Sequence, residues 1–403
     1  SAAVEIPGQY VPNSANTVDS RPLPELHAKM VKFEPQIKVT KHNDQLMRQI
    51  GFIGNDGKTY QFLLQFAIPY CTRTDERTSQ LNYLFGKLLK KEISSSRRHL
   101  SIQPRAVIPI AQRLRMTAIK DSDVLLETIH KIDCKARGIG SEEVLRTYQD
   151  EIDKYLEARN FVRLDKNSKA EAERNAKKVA YQAICKNLID SHVLTRYVHS
   201  TFCSFEKIYH FRRIFAAKLA LNSLLQYVFS VNDRTPSKFM FDVNTGQMLA
   251  PEFRFTYNNQ GFLEASKMPF RMTRNIQELL GKSFINGVFI PSMASGATAF
   301  FVNENMVYPA LCLLLRDDIV AWYISKSQAR TDLKIQELER QLADRVSKNV
   351  ALVQSRLEKL APENFKDDSI QAQRLMLDGN IPDPIDTKIR QLVSFATSTH
   401  NLA

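Results

Sequence analysis

A chain of 403 residues with 43% hydrophobic content can bury a sizeable core, which excludes a disordered polypeptide and leaves room for several domains or one large bilobal one. The five cysteines (Cys71, Cys134, Cys185, Cys203 and Cys312) are scattered without a C-x-x-C pair, excluding a disulfide framework and a zinc ribbon. The formal charge of +13 suits acidic partners, but the Lys and Arg residues are dispersed without interleaved aromatics, so no direct nucleic-acid contact is expected.

The opening "SAAVEIPGQY" lacks the basic-then-apolar grammar of a signal peptide, and no long uncharged apolar run suggests a membrane span. A soluble piece of a longer protein is expected. The Pro, Asn and Ser content of "PGQYVPNSANTVDSRPLP" makes residues 1–45 an extended lead-in. In "RQIGFIGNDGKTYQFLLQFAI" two alternating apolar runs flank Asn55-Asp56-Gly57, which predicts a hairpin because Asp-Gly readily takes the positive φ angles of a tight turn. A helix follows with Leu81, Leu84, Phe85, Leu88 and Leu89 on one face, Thr74 as N-cap, and Asp75 and Glu76 in the first turn. The basic stretch "KLLKKEISSSRRH", residues 87–99, is at most a weak localisation or anionic-surface signal. "LSIQPRAVIPI" and "RLRMTAI" return to strand composition, completing a small α+β lobe over 46–120.

Helical spacing then dominates at 125–132, 144–156, 170–189 and 205–229, with Ser141 as a start signal and a polar link at 158–178. Short strands are expected within 239–255, turning at Asn244–Gly246, before a strongly apolar helix at 303–325. Residues 332–360 repeat apolar side chains from Ile335 to Leu360 at spacings of three and four, suiting a helix packed on its own domain more than a coiled coil. The predicted fold is thus α+β and bilobal: N-lobe 46–120 and larger helical C-lobe 121–365, followed by a tail segment 366–403.

Motifs sharpen this outline. "PGQY", "GFIGNDGKTYQFLLQ", "DERTSQLNYLF", "LSIQPRAVIPI", "NDRTPSKFMFD" and "MPFRMTRNI" together resemble the phosphatidylinositol-3-kinase-related kinase family, and "IPDPIDTKIRQLVSFATSTHNLA" is similar to its C-terminal FATC tail. The resemblance implies a protein-kinase-like fold with a helical tail. In that fold phosphoryl transfer needs a lysine on the phosphates, Asp and Asn ligands for two metal ions, and an Asp that orients the attacking hydroxyl.

Set against that pattern, Gln65 stands in the lysine slot, and Asp75, the carboxylate that would pair with the lysine, is left without its partner. Asp233 stands at the catalytic aspartate, but Thr235 replaces the usual His, and Lys238 replaces the metal-binding Asn with a group that only donates hydrogen bonds and repels cations. The family spacing places Glu252 where the D-F-G aspartate belongs and Arg254 at its glycine. These seven positions are read as degenerate, with no catalytic, cofactor-binding or metal-ligating residue among them.

The degeneracy resembles the pseudokinase branch of the family. The resemblance implies a catalytically inactive scaffold within a large nuclear transcription coactivator. Its partners would be other subunits of SAGA-type and related histone acetyltransferase complexes, with acidic transcription activators reaching it through the full-length protein, and no membrane or cofactor is implied. The alternatives are an active atypical Ser/Thr kinase, or a switch that binds nucleotide without chemistry. The family tail continues beyond "THNLA", so its terminal tip is missing from this sequence.

Overall fold

The computed structural model describes residues 4–9, 23–42, 45–67, 71–102, 104–140, 142–159, 166–249, 252–264, 268–326, 335–360, 383–398 and 401. Residues 10–22 of the expected lead-in, Ser141, and 366–382 of the expected tail lie outside them. The hairpin forms where Asp-Gly predicts it. Strands β3 (Gln45–Gly54) and β4 (Thr59–Phe66) pair antiparallel, Gly57 takes φ +76°, and the Tyr60 hydroxyl donates to Asp56 at 2.8 Å.

Two further strands, β1 (Met30–Phe33) and β2 (Lys38–His42), add to β3, while β6 (Leu114–Ile119) and β5 (Val107–Ala111) continue beyond β4 to make six strands. The segment 1–45 therefore carries part of the N-lobe sheet. It also supplies Ile6 and Ala28, which close a small core with Phe52, Phe62 and Met116.

On the other face of the sheet lies α1 (Thr74–Lys91), continued by the short α2 (Ile93–Arg97). Thr74 is its first residue and not its cap. Arg73 occupies the cap position without a side-chain bond, and the Thr74 hydroxyl reaches a distant helix instead. Leu81, Phe85, Leu88 and Leu89 are buried as the spacing predicts, but the core they enter is that of the C-lobe: the Phe85 ring meets Phe300 at 4.6 Å.

A short β7 (Asp123–Leu125) joins the lobes and pairs with β8 (Met240–Asp242). The helices are α3 (Leu126–Ala136), α4 (Glu143–Ala158), α5 (Lys166–Asn187), α6 (Val193–Thr201), α7 (Phe205–Val228), α8 (Arg274–Phe284), α9 (Ile290–Val302), α10 (Glu304–Lys326), α11 (Ile335–Leu360) and α12 (Asp383–Thr397). The polar link expected at 158–178 is helical from Lys166, because its charged residues face outward while Ala172, Ala176 and Ala180 are buried along one side. The strands expected within 239–255 reduce to β8 and an isolated bridge, with Gly246 at φ +73° in the turn.

Helix α7 is buried around most of its circumference and forms the axis of the C-lobe. The long α11 packs on its own domain through Val346, Val350, Val353, Leu357 and Leu360, and Ile385, Ile389 and Val393 of α12 enter the same core. Arg274–Val302 is long and apolar enough to cross a membrane, with mean hydropathy 1.4, but 56% of its apolar window is buried. Met293, Ala294 and Phe300 there are core residues of a folded lobe.

Candidate functional site

The cleft between the lobes is built from β4, β6, the start of α1 and the loop after β8. Pairing places Gln65 of β4 opposite Arg115 of β6. With side chains alternating across the sheet, both face α1, and Arg115 is only 3% exposed. Its Nε donates to Gln65 Oε1 at 2.6 Å, its Nη1 donates to the Thr72 carbonyl at 3.0 Å, and its Nη2 forms an ion pair with Asp75. This corrects the expectation for Asp75. The carboxylate has not lost its partner, because the neighbouring strand supplies a guanidinium where the family has an ammonium.

Arg254 reaches the same carboxylate from the C-lobe. Its Nη2 lies 3.4 Å from Asp75 Oδ2 and 3.7 Å from Glu252 Oε2. Burial opposes the charge on Arg254, but Asp75, Glu252 and Asp318 outweigh that effect and hold its pKa above the ordinary arginine value. Glu252 is held from its other side by Arg105, whose Nη1 donates to Oε1 at 3.1 Å. The result is a chain of alternating charge, Arg115, Asp75, Arg254, Glu252, Arg105, running from the N-lobe sheet into the C-lobe and back.

Asp233, Thr235 and Lys238 form a second cluster in the loop that follows α7. Lys238 Nζ lies 3.3 Å from Asp233 Oδ2, and the Thr235 hydroxyl donates to Asp233 Oδ1 at 3.2 Å. A 3-10 turn at Pro236–Lys238 brings the lysine back over the aspartate. Arg234 points the other way and donates to the Met268 carbonyl at 2.6 Å.

Sequence reasoning passed over four residues that complete the cleft. Arg115 and Arg105 provide its cations from the N-lobe. Asp318 of α10 accepts hydrogen bonds from Thr74 and Tyr257, each at 2.8 Å, tying α1 and the loop after Glu252 to one helix of the C-lobe. Burial pushes the Asp318 carboxyl up, with the two hydroxyls and Arg254 opposing. The available signal was period two: in "RLRMTAI" an arginine stands at an inward position of a strand, where a charge demands a partner.

Where the strand linking the lobes turns, a cavity of about 230 Å³ is lined by Arg105, Lys120, Asp123, Asp242 and Leu249 among others. It is smaller than the roughly 300 Å³ at which small-molecule sites begin. Arg105 crosses it to reach Glu252 and the Met240 sulfur at 3.5 Å.

Comparison with known proteins agrees with this geometry. A family model described as phosphatidylinositol 3- and 4-kinase matches residues 66–324. The SAGA complex/NuA4 acetyltransferase complex subunit TRA1 of Saccharomyces cerevisiae is 27% identical over 79% of this chain and 9% of its own length. The transformation/transcription domain-associated protein of Homo sapiens is 26% identical over 90% of this chain, and the DNA-dependent protein kinase catalytic subunit of Xenopus laevis is 23% identical over 79%. The chain spans 9% of the human coactivator relative and 8% of the kinase. Among solved structures, the FAT and kinase domain of CtTel1 superposes with TM-score 0.66 at 15% identity, covering 99% of this chain and 24% of that one. This shared fold has the bilobal α+β architecture expected from the sequence.

Proposed function

The chain belongs to the phosphatidylinositol 3- and 4-kinase family, and from that premise we propose that it is a kinase-fold scaffold that no longer transfers phosphate. It serves as a protein-interaction module in a TRRAP-type coactivator subunit of histone acetyltransferase complexes. Relatives named as subunits of SAGA and NuA4 support the setting. The finer parts of the reading are a nuclear location, docking of other complex subunits, and recruitment by acidic activators through the full-length protein.

The observation that carries the inactive reading is the pairing of Asp75, Glu252 and Asp233 with protein cations. Asp75 is held by Arg115 and Arg254, Glu252 by Arg105 and Arg254, and Asp233 by Lys238. A magnesium ion needs free carboxylate oxygens to complete an octahedral, partly hydrated oxygen shell and is repelled by ammonium and guanidinium groups. These side chains do not fit a two-metal phosphoryl-transfer site, so no catalytic step is assigned to them.

The test is thermal unfolding of the purified protein with and without ATP and magnesium. Saturation at a hundred times a dissociation constant would add about 2.7 kcal/mol of stability, and no such increase is expected. Phosphate transfer that disappears in Asp233→Ala would overturn the proposal and favour the active-kinase reading, which the retained Asp233 and the resemblance to a DNA-dependent protein kinase keep in view. Stabilisation by ATP without transfer would favour a nucleotide switch in which Lys238 and Arg254 grip phosphate directly. Under the scaffold reading, complex assembly survives Lys238→Ala with Arg254→Ala and fails when buried Leu224 or Phe270 is made polar.

A further inference from the structure

Behind the Asp233 loop, on the side away from the interlobe cleft, the C-lobe holds a cavity of about 400 Å³ between α3, α4, α5, α6 and the start of α8. This lies within the usual size range of small-molecule sites. Its walls are apolar: Ile129 from α3, Val144 from α4, Ile184 from α5 and Val193 from α6 face one another across it.

One end is cationic. Arg271 and Arg274, both in the "MPFRMTRNI" stretch that the cleft does not use, line that end beside the Tyr181 ring. Arg271 Nη1 donates to the Arg234 carbonyl at 2.9 Å, yet its Nε is buried without a hydrogen-bond partner. Arg274 Nη2 donates to the carbonyls of Ile189 at 2.8 Å and Cys185 at 3.4 Å. Among the described residues no carboxylate lies within ion-pair distance of either arginine. Burial lowers the Arg271 pKa, with the neighbouring Tyr181 opposing.

A half-buried cation without an anion is costly, even with the Phe239 ring 6.0 Å from the Arg271 guanidinium, and an apolar cavity beside it is poorly suited to water. One ligand chemistry answers both conditions: an anionic head against the guanidinium groups of Arg271 and Arg274, on an apolar body that fills the space between the helices. The planar guanidinium fork matches the two oxygens of a carboxylate, the compact anion that an otherwise apolar cavity of this size admits.

We propose that this cavity binds an amphipathic carboxylate, its head between Arg271 and Arg274 and its alkyl body among Ile129, Val144, Ile184 and Val193. The site is separate from the interlobe cleft, so the proposal stands whether or not the scaffold reading holds. Because Pro236 lines the same cavity and Arg271 holds the Arg234 carbonyl, occupancy stiffens the Asn232–Lys238 loop from behind.

The experiment is a fluorescence titration of the purified full-length protein with a dansyl-tagged undecanoate, followed by displacement with dodecanoate or dodecanol. Saturable binding is expected, displaced by dodecanoate and not by the alcohol. It should weaken about tenfold or more in Arg271→Met and in Arg274→Met, the loss typical of a charge-assisted hydrogen bond. It should vanish in Val144→Trp, which fills the cavity from its half-buried rim and keeps the test valid if Arg271→Met fails to fold. Displacement by dodecanol equal to that by dodecanoate overturns the proposal. So does binding unchanged in a folded Val144→Trp, or the absence of saturable binding.

Discussion

At the scale of single residues, Gln65 is tied to a cation from the next strand, the Arg115 guanidinium. The nitrogens of Arg115 are committed to Gln65, Thr72 and Asp75. Each of the three guanidinium nitrogens is thus turned towards a protein partner. Placing a lysine at position 65 should therefore not restore function. In Gln65→Lys the new ammonium faces Arg115 Nε, replacing a 2.6 Å hydrogen bond by like-charge repulsion, and the expected outcome is a lower melting temperature with no stabilisation by ATP and magnesium. Arg115→Met, which strips a buried carboxylate of one partner, should cost about 3 kcal/mol in chemical denaturation. The double variant with Asp75→Asn should cost less than the sum of the two single changes. Additive losses would mean that the pair does not couple.

At the scale of elements, the burial of α7 creates a pH dependence. Lys218 lies within it at 8% exposure and donates to the Ser101 hydroxyl at 2.6 Å, with no carboxylate beside it. Burial lowers its pKa from 10.5 to about 8. The unfolded chain therefore holds this proton at pH values where the folded chain has released it, so Lys218 makes stability rise as pH increases from about 8 towards 10.5. Urea denaturation across that window should show the rise in the native protein and a flatter profile in Lys218→Met. The turn after β8 makes a second, local demand. Gly246 has φ +73°, and a Cβ there would lie 2.7 Å from the Phe211 carbonyl oxygen on α7. Gly246→Ala should then destabilise by more than the roughly 1 kcal/mol usual for such a backbone conformation alone. A melting temperature equal to that of the parent would remove the steric argument.

At the scale of the whole molecule, α1 belongs by sequence to the small lobe and by packing to the large one. Leu81, Phe85, Leu88 and Leu89 share one continuous core with α7 and α9, and Arg77 pairs with Asp317 of α10 at 2.8 Å. An arrangement in which this helix is fixed to the C-lobe by both apolar and ionic contacts suits a rigid platform better than a hinged enzyme. Native-state hydrogen exchange should find α1 amides protected to the same degree as those of α7, and β1 to β3 opening earlier because their own core is small. If α1 exchanged together with the β1 to β3 strands, the lobes would be separate folding units after all.

The sequence by itself determined what depends on near neighbours. The Asp-Gly hairpin, the apolar face of α1 and the helical spacing of α7 are properties of adjacent residues or fixed spacings, and family motifs added the bilobal plan. Only the tertiary structure decided which charges meet. Arg115 reaches Asp75 through strand register, Arg105 reaches Glu252 across the cleft, and Thr74 gives up a capping role to bind Asp318. Electrostatic energy depends on distance in space rather than separation along the chain. The motif positions therefore pointed to Gln65 and Asp75 as paired candidate positions, but not to the arginine of the next strand that holds Asp75.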